Sequence, residues 1–512
     1  MTTELPRLAM PRPAPRRPTA VERVFAAWKE PPLPLSPSLL GRVLGAGVLG
    51  AVALGDFFEN GSFGVNVPIA ALAVAAVAFS TAWTAGRVAA RGRIDRTGIA
   101  FCLLALVLAG TAAVRDAPWI VGLALLLAVP LGSYGAVGGR TWTSVLGGGA
   151  LALPMAAARM LPWAVRGVRR LSAERRASTW PAVRTGLLVA ALLAVFGGLF
   201  AGADAAFGDL AGSLVPEVSA GPVVPRAVAG ALTAVLALAL AFLTLAPPPL
   251  RILERARPDA AGRWAWAVPI AALDLLFVAF CAVQASVLLA ADKDRLLRST
   301  GLTYAEYARR GFFQLVVVTV LVLAVVAFAV RHAPTGTRRD RVLVRALLGL
   351  LCALTLVVVA VALRRLYLYE EASGWTRLRL WVHAFELWLG LVVVLVAAAG
   401  VRLRARWLPR AVAASGAAGL IALAALNPDA FIAERNVSRF EHTGRLDVQY
   451  LRGLSADAVP ALDRLPEPQR SCALRAVARR LGGDETRLSA NLARHEARAL
   501  LDRRPVRDGT DC

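Results

Sequence analysis

GFFQLVVVTVLVLAVVAFAV, residues 311–330, runs for twenty positions without an acidic or basic side chain. A hydrocarbon core roughly 30 Å thick is crossed by about 20 helical residues at 1.5 Å each, so this run reads as a membrane-spanning helix. Working outward, comparable runs lie at Leu39 to Phe58, Phe63 to Gly86, Thr97 to Val114, Pro118 to Gly138, Thr185 to Ala203, Val223 to Ala246, Ala265 to Ala290, Val342 to Leu363, Leu380 to Val401 and Leu408 to Leu426. With Gly311 to Val330 they make eleven spans. A further apolar stretch, Thr141 to Val165, is interrupted by Gly147, Gly148, Gly149, Pro154, Arg159 and Pro162. It reads as an interfacial or re-entrant segment, because irregular backbone is tolerated in a membrane only where protein or water satisfies it.

Composition agrees. The chain is 57% hydrophobic and only 18% charged, with a mean hydropathy of +0.59, well outside globular averages. The expected fold is therefore all-α, a polytopic transmembrane bundle of about eleven spans with a small C-terminal helical tail. The lipid bilayer is its first partner. The net charge of +24 does not indicate nucleic acid, because the basic residues sit between apolar runs and form no groove-sized patch. Lys29 and Lys293 are the only lysines, and an Arg- and Ala-rich chain reflects base composition as much as function. Cys102, Cys281 and Cys352 fall in apolar runs, and Cys472 and Cys512 in the polar tail, with no metal-like spacing. Neither a metal nor a cofactor is expected, and no Walker motif supports ATP chemistry.

Basic residues orient the bundle, since cytoplasmic connections are enriched in Arg and Lys. The Pro- and Arg-rich segment 1–38 has no apolar core typical of a cleavable signal and reads as a cytoplasmic tail. Arg87 to Arg96, Arg166 to Arg176, Arg251 to Arg263, Arg331 to Arg341 and Arg402 to Arg406 fall on the same side if 141–165 does not span. The tail then lies outside a bacterial-type inner membrane, where it could contact another envelope protein. Connections 291–310 and 364–379 also lie outside yet carry several arginines, against the rule. The working division is 1–38, a 39–184 N-terminal membrane region, a 185–426 membrane domain and a 427–512 polar tail. Within that tail, Pro468 to Gly482 reads as one helix, and Asp484 caps a second with Leu488, Leu492 and His495 on one face. Two free thiols are the expected state of Cys472 and Cys512.

Ionisable groups within spans are costly and are site candidates by default. Asp274, Phe277, Cys281 and Gln284 share one helical face. Arg379, His383, Glu386 and Gly390 share another, bringing an imidazole and a carboxylate together. Their spacing alone does not make a metal site, which needs three or four protein ligands. A third set lies at the outer ends: TYAEYARRGFFQL at 303–315, with Tyr304, Tyr307, Arg309, Arg310 and Gln314; RLYLYEE at 365–371, with Arg365, Tyr369 and Glu371, followed by Gly374, Trp375 and Thr376; and NPDAFIAERN at 427–436, with Asp429 and Asn436.

These three strings, together with Phe277, Phe280 and Gln284, resemble the signature segments of an uncharacterised family of bacterial multi-spanning membrane proteins, a domain of unknown function of the 4173/4153 type. The resemblance covers roughly 187–462 and implies membrane location with no assigned activity. From the residues, the leading expectation is an outward-facing binding or transport site for an anionic small molecule or envelope lipid, because arginine binds phosphate and carboxylate bidentately. The alternatives are a non-catalytic membrane sensor or scaffold, and a membrane-embedded transferase on an envelope lipid with Glu371, Glu386 or Asp429 as base.

Overall fold

The computed structural model describes residues 18–31, 34–89, 96–174, 220–254, 262–289, 312–402, 405–483 and 485–507. Among these the chain is all helical, with no strand. A short α1 (Ala20–Ala27) precedes the long helices α2 (Pro37–Asn60), α3 (Asn66–Ala89), α4 (Arg96–Val114) and α5 (Pro118–Val137). Then come α6 (Trp142–Leu146), a π-helical turn (Gly147–Leu151), α7 (Ala152–Glu174) and α8 (Ala220–Leu245). The second half contains α9 (Arg263–Leu289), α10 (Phe312–His332), α11 (Arg338–Ser373), α12 (Arg377–Arg402) and α13 (Leu408–Ala425). Eleven described helical stretches are long and apolar enough to cross a membrane. Ten coincide with spans read from the sequence; the predicted span Thr185 to Ala203 lies outside the described residues.

The eleventh stretch, Trp142–Ala173, is the one expected not to span, and its partners show how it lies. Thr143 reaches Glu254, and a Cβ on Gly147 would touch Leu250. Further along, Arg159 donates to the Phe25 carbonyl, Trp163 packs edge-on against Phe242 and Arg166 pairs with Glu30. All these partners cluster where α2 begins and α8 ends. Residues 143 to 166 cover about 35 Å of helix and make these contacts with the segments around the start of α2 and the end of α8. The three glycines do not break it, because they are absorbed in the π turn. There Ser133 donates to the Gly148 carbonyl at 2.6 Å.

Small residues set the tightest packing. Helices α2 and α8 run antiparallel with Gly47 against Gly230 and Gly50 against Thr233. A Cβ on Gly230 would lie 2.8 Å from the Gly47 carbonyl, so here the backbones themselves touch. That close approach is what small residues give helix pairs in lipid, where apolar side chains gain nothing by leaving hydrocarbon.

The N-terminal segment and the C-terminal tail sit at opposite faces. Trp28 donates to the Ala246 carbonyl at 2.9 Å, at the end of α8 just described. The tail comprises α14 (Pro428–Thr443), α15 (Val448–Leu451), α16 (Val459–Leu462), α17 (Gln469–Leu481) and α18 (Leu492–Arg503). It covers the other ends of α3, α4, α5 and α13. The amides of Val65 and Asn66 donate to the carbonyls of Ala490 and Leu488 at 3.0 and 2.8 Å. Arg494 pairs with Asp116 at 2.9 Å and Glu485 at 2.7 Å.

Two expectations about the tail are corrected. Its last helix starts at Leu492 with Asn491 as cap, later than the Asp484 stretch (Asp484 itself lies outside the described residues). Its buried face is Ala493 and Ala497, with Leu492 half exposed. The Asn491 amide also donates to the carbonyls of Ala112 and Arg115 at 2.9 and 3.0 Å, so docking rather than an apolar stripe sets the helix start. Cys472 is disulfide-bonded, not a free thiol. The Arg507 amide donates to the Ser471 hydroxyl at 3.2 Å, so the chain end returns alongside this cysteine; the other half of the bridge lies outside the described residues.

Candidate functional site

The sequence candidates fall into three places. The first is a junction where α5, α12, α13 and the tail meet. Asp429, at the start of α14, is fully buried. Its carboxylate takes a two-pronged pair from Arg377, with Nε at 2.9 Å, the Trp119 indole N–H at 3.0 Å and the Ser455 amide at 2.9 Å. The Arg377 amide donates to the Tyr450 hydroxyl at 2.7 Å. Burial pushes the Asp429 carboxyl up, but the Arg377 guanidinium and the Trp119 and Ser455 donors outweigh it and hold it below the ordinary range. Asn436, two turns on, clamps Trp375, accepting its amide at 3.3 Å and donating to its carbonyl at 2.9 Å. Both carboxylate oxygens of Asp429 are met by internal donors, so the junction is a fastening.

Beside it stands Asp457, which sequence reasoning missed. Its carboxylate accepts the amides of Asp116 and Ala117 at 2.8 and 3.0 Å and the Ser455 hydroxyl at 3.0 Å. Asn427 bridges it to Arg115, at 3.1 and 2.9 Å. Burial pushes Asp457 up to about 6, against the pull of the Asp116 amide and the Ser455 hydroxyl. Its unfolded value is near 3.9, so the folded tail binds this proton more tightly. Its contribution is fully present below about 4 and is lost as pH rises through about 6. Asp429 has the opposite sign, stabilising above about 4 and ceasing to do so in more acid solution. Tail proteolysis is therefore expected to slow as pH drops from 7.5 to 5, with Asp457→Asn flattening the profile.

The second place is the end of the α11–α12 hairpin nearest the tail. His383 Nδ1 lies 3.0 Å from Glu370 Oε1 and its ring stacks on Trp375. Glu370 is fully buried and its second oxygen has no partner. The sequence stripe offered Glu386 as the partner of His383, but the chain turns back at Gly374 and brings Glu370 instead. Arg379 stacks on Tyr369, 4.2 Å above the ring, and caps the Gly374 carbonyl. One turn below His383, Glu386 is fully buried against α10, where among the described residues only the Thr319 hydroxyl approaches it, at 3.5 Å. Its other oxygen has no partner. Arg365 donates to Gln284 at 3.0 Å, tying α11 to α9.

The third is Asp274, buried in α9 with neither oxygen partnered among the described residues. Cys281, two turns above it, is level with Leu354, whereas Gly390, one turn below Glu386, is level with Val359. At 1.5 Å per residue the two carboxylates are about 20 Å apart along the bundle. Gln314 is exposed. Tyr304, Tyr307, Arg309 and Arg310 and the Glu371 side chain lie outside the described residues. Among the described residues no cluster of His, Cys, Asp and Glu could hold a metal.

Apolar helices of spanning length with carboxylates buried among them define the class, a multi-pass α-helical integral membrane protein. Residues 99–465 match the family model described as a domain of unknown function (DUF4153), and the chain belongs to that family. The match begins upstream of the segments that suggested the resemblance and takes in α4 and α5. No curated protein and no solved structure matches the chain.

Proposed function

We propose that the α9–α12 half of this protein passes protons inward from the outer face and couples their movement to transport of an anionic small molecule or envelope lipid. The observation that carries this is Glu386, a fully buried carboxylate with one oxygen unpartnered and the other met only by a hydroxyl at 3.5 Å. A carboxylate held this way in hydrocarbon is costly and marks an ion pathway by default. The Glu370 and His383 pair lies one turn nearer the outer end, and Asp274 lies deeper. Arg365, Arg377 and Arg379 are committed to internal partners, which turns the reading from arginine-led anion capture toward proton coupling.

The orientation belongs to the same proposal, with the N-terminal face cytoplasmic in a bacterial-type inner membrane and the tail outside. Basic residues at the N-terminal face support it, as does a disulfide in the tail, since such bonds persist in oxidising compartments.

The test is pH-gradient decay in proteoliposomes loaded with a pH-sensitive dye. Wild type is expected to dissipate an imposed gradient at least tenfold faster than Glu386→Gln, which keeps the side chain's shape. Equal rates in two variants with matching unfolding midpoints would sink the proposal.

A further inference from the structure

A cavity of about 1010 Å³ lies in the other half of the molecule, between α3, α4, α5 and α8. It runs from Leu54 and Val67 near the tail face to Gly139 and Thr244 near the N-terminal face, and so extends through the membrane depth. Its walls are alanine, glycine, leucine and valine, with Phe79, Ile99, Cys102 and the hydroxyls of Thr233 and Thr244, and no charged side chain lines it. The volume is at the upper end of the 300–1,000 Å³ range typical of ligand pockets. The charged features are at one mouth. Arg96 stands two residues before the lining residue Gly98, and Arg140 directly follows Gly139. Both guanidinium groups are exposed and neither pairs with any described residue.

We infer that this cavity is a binding site for one anionic glycerophospholipid of the leaflet at the N-terminal face. Its acyl chains lie along Ala78, Cys102, Gly132 and Leu240, and its phosphate sits between Arg96 and Arg140. The apolar walls match acyl chains. Two unpaired cations at a single mouth give the orientation and the preference for an anionic headgroup, because guanidinium groups bind phosphate bidentately. The site stands apart from Glu386 and does not rest on the proton-coupling proposal.

The experiment places the full-length protein in nanodiscs containing phosphatidylglycerol with a photoreactive group on one acyl chain, or phosphatidylcholine with the same tag. After irradiation, labelled residues are mapped by mass spectrometry. Labelling by the phosphatidylglycerol probe is expected to concentrate on the lining residues of α4 and α5, exceeding the exposed lipid-facing residues Leu275, Leu276 and Phe328 at least fivefold. Gly132→Leu fits without backbone overlap, since a Cβ there meets only Ala105 at 3.9 Å. It should abolish the excess, as should Ala82→Leu on the facing wall. Arg96→Ala/Arg140→Ala should bring the two probes to equal labelling. Even labelling of all lipid-facing helices, an excess that survives both filling variants with unchanged unfolding midpoints, or a headgroup preference untouched by the arginine change would each overturn the inference.

Discussion

Arg377→Met is expected to destabilise the protein by about 3–5 kcal/mol, the usual cost of removing one partner of a buried ion pair. The reason is the residue left behind. Asp429 is fully buried, and without the guanidinium its charge keeps only the Trp119 and Ser455 donors. Methionine fills much the same volume, so a cavity does not explain the loss. Asp429→Asn should cost less, since it removes the charge and keeps an acceptor. The double variant Arg377→Met/Asp429→Asn should recover more than half of the single-variant loss, because no uncompensated charge then remains. Unfolding in detergent, followed by tryptophan fluorescence and by proteolysis of the tail, would measure all three. If Arg377→Met unfolded like wild type, the junction would not be the fastening described.

The second large effect is expected at Gly50. A Cβ added there would overlap the Thr233 side chain, which is buried and bonded to the Ala229 carbonyl at 2.8 Å. Gly50→Ala should cost about 1–3 kcal/mol, the range for overpacking a tight core, and Gly50→Leu should prevent the α2–α8 pair from forming. Truncating the opposing residue, as in Gly50→Ala/Thr233→Gly, should return most of the stability. An additive double variant would show that the loss arises in the helix itself and not at its contact.

Much of the bundle was legible because the bilayer imposes a one-dimensional rule. A run such as 311–330 announces its length and environment locally. Trp142 to Ala173 shows a limit of local reading, since three glycines and two prolines predicted an interrupted segment, whereas the glycines form a π turn inside a helical stretch long and apolar enough to cross a membrane. The site was less legible, because its pairs join distant positions. Nothing near Asp429 announces Arg377, 52 residues away, and a stripe on α12 alone cannot disclose that Glu370 comes back to His383. Asp457 looked like one acid among many in a polar tail. Its role depends on two amides contributed by the α4–α5 connection, about 340 residues earlier in the chain, and backbone amides carry no sequence signal.

The tail also has a mechanical consequence. It is stitched to the connection before α3 through Val65 and Asn66, to the α4–α5 connection through Asp116 and Ala117, and to α12 through Arg377. Helices bridged at one end by so many short polar contacts cannot spread there without breaking several of them together. The N-terminal half is thus the stator of the molecule. Any rocking that exposes Glu386 alternately to the two sides is expected to be carried by α9, α10 and α11, whose described residues contribute none of the tail contacts just named.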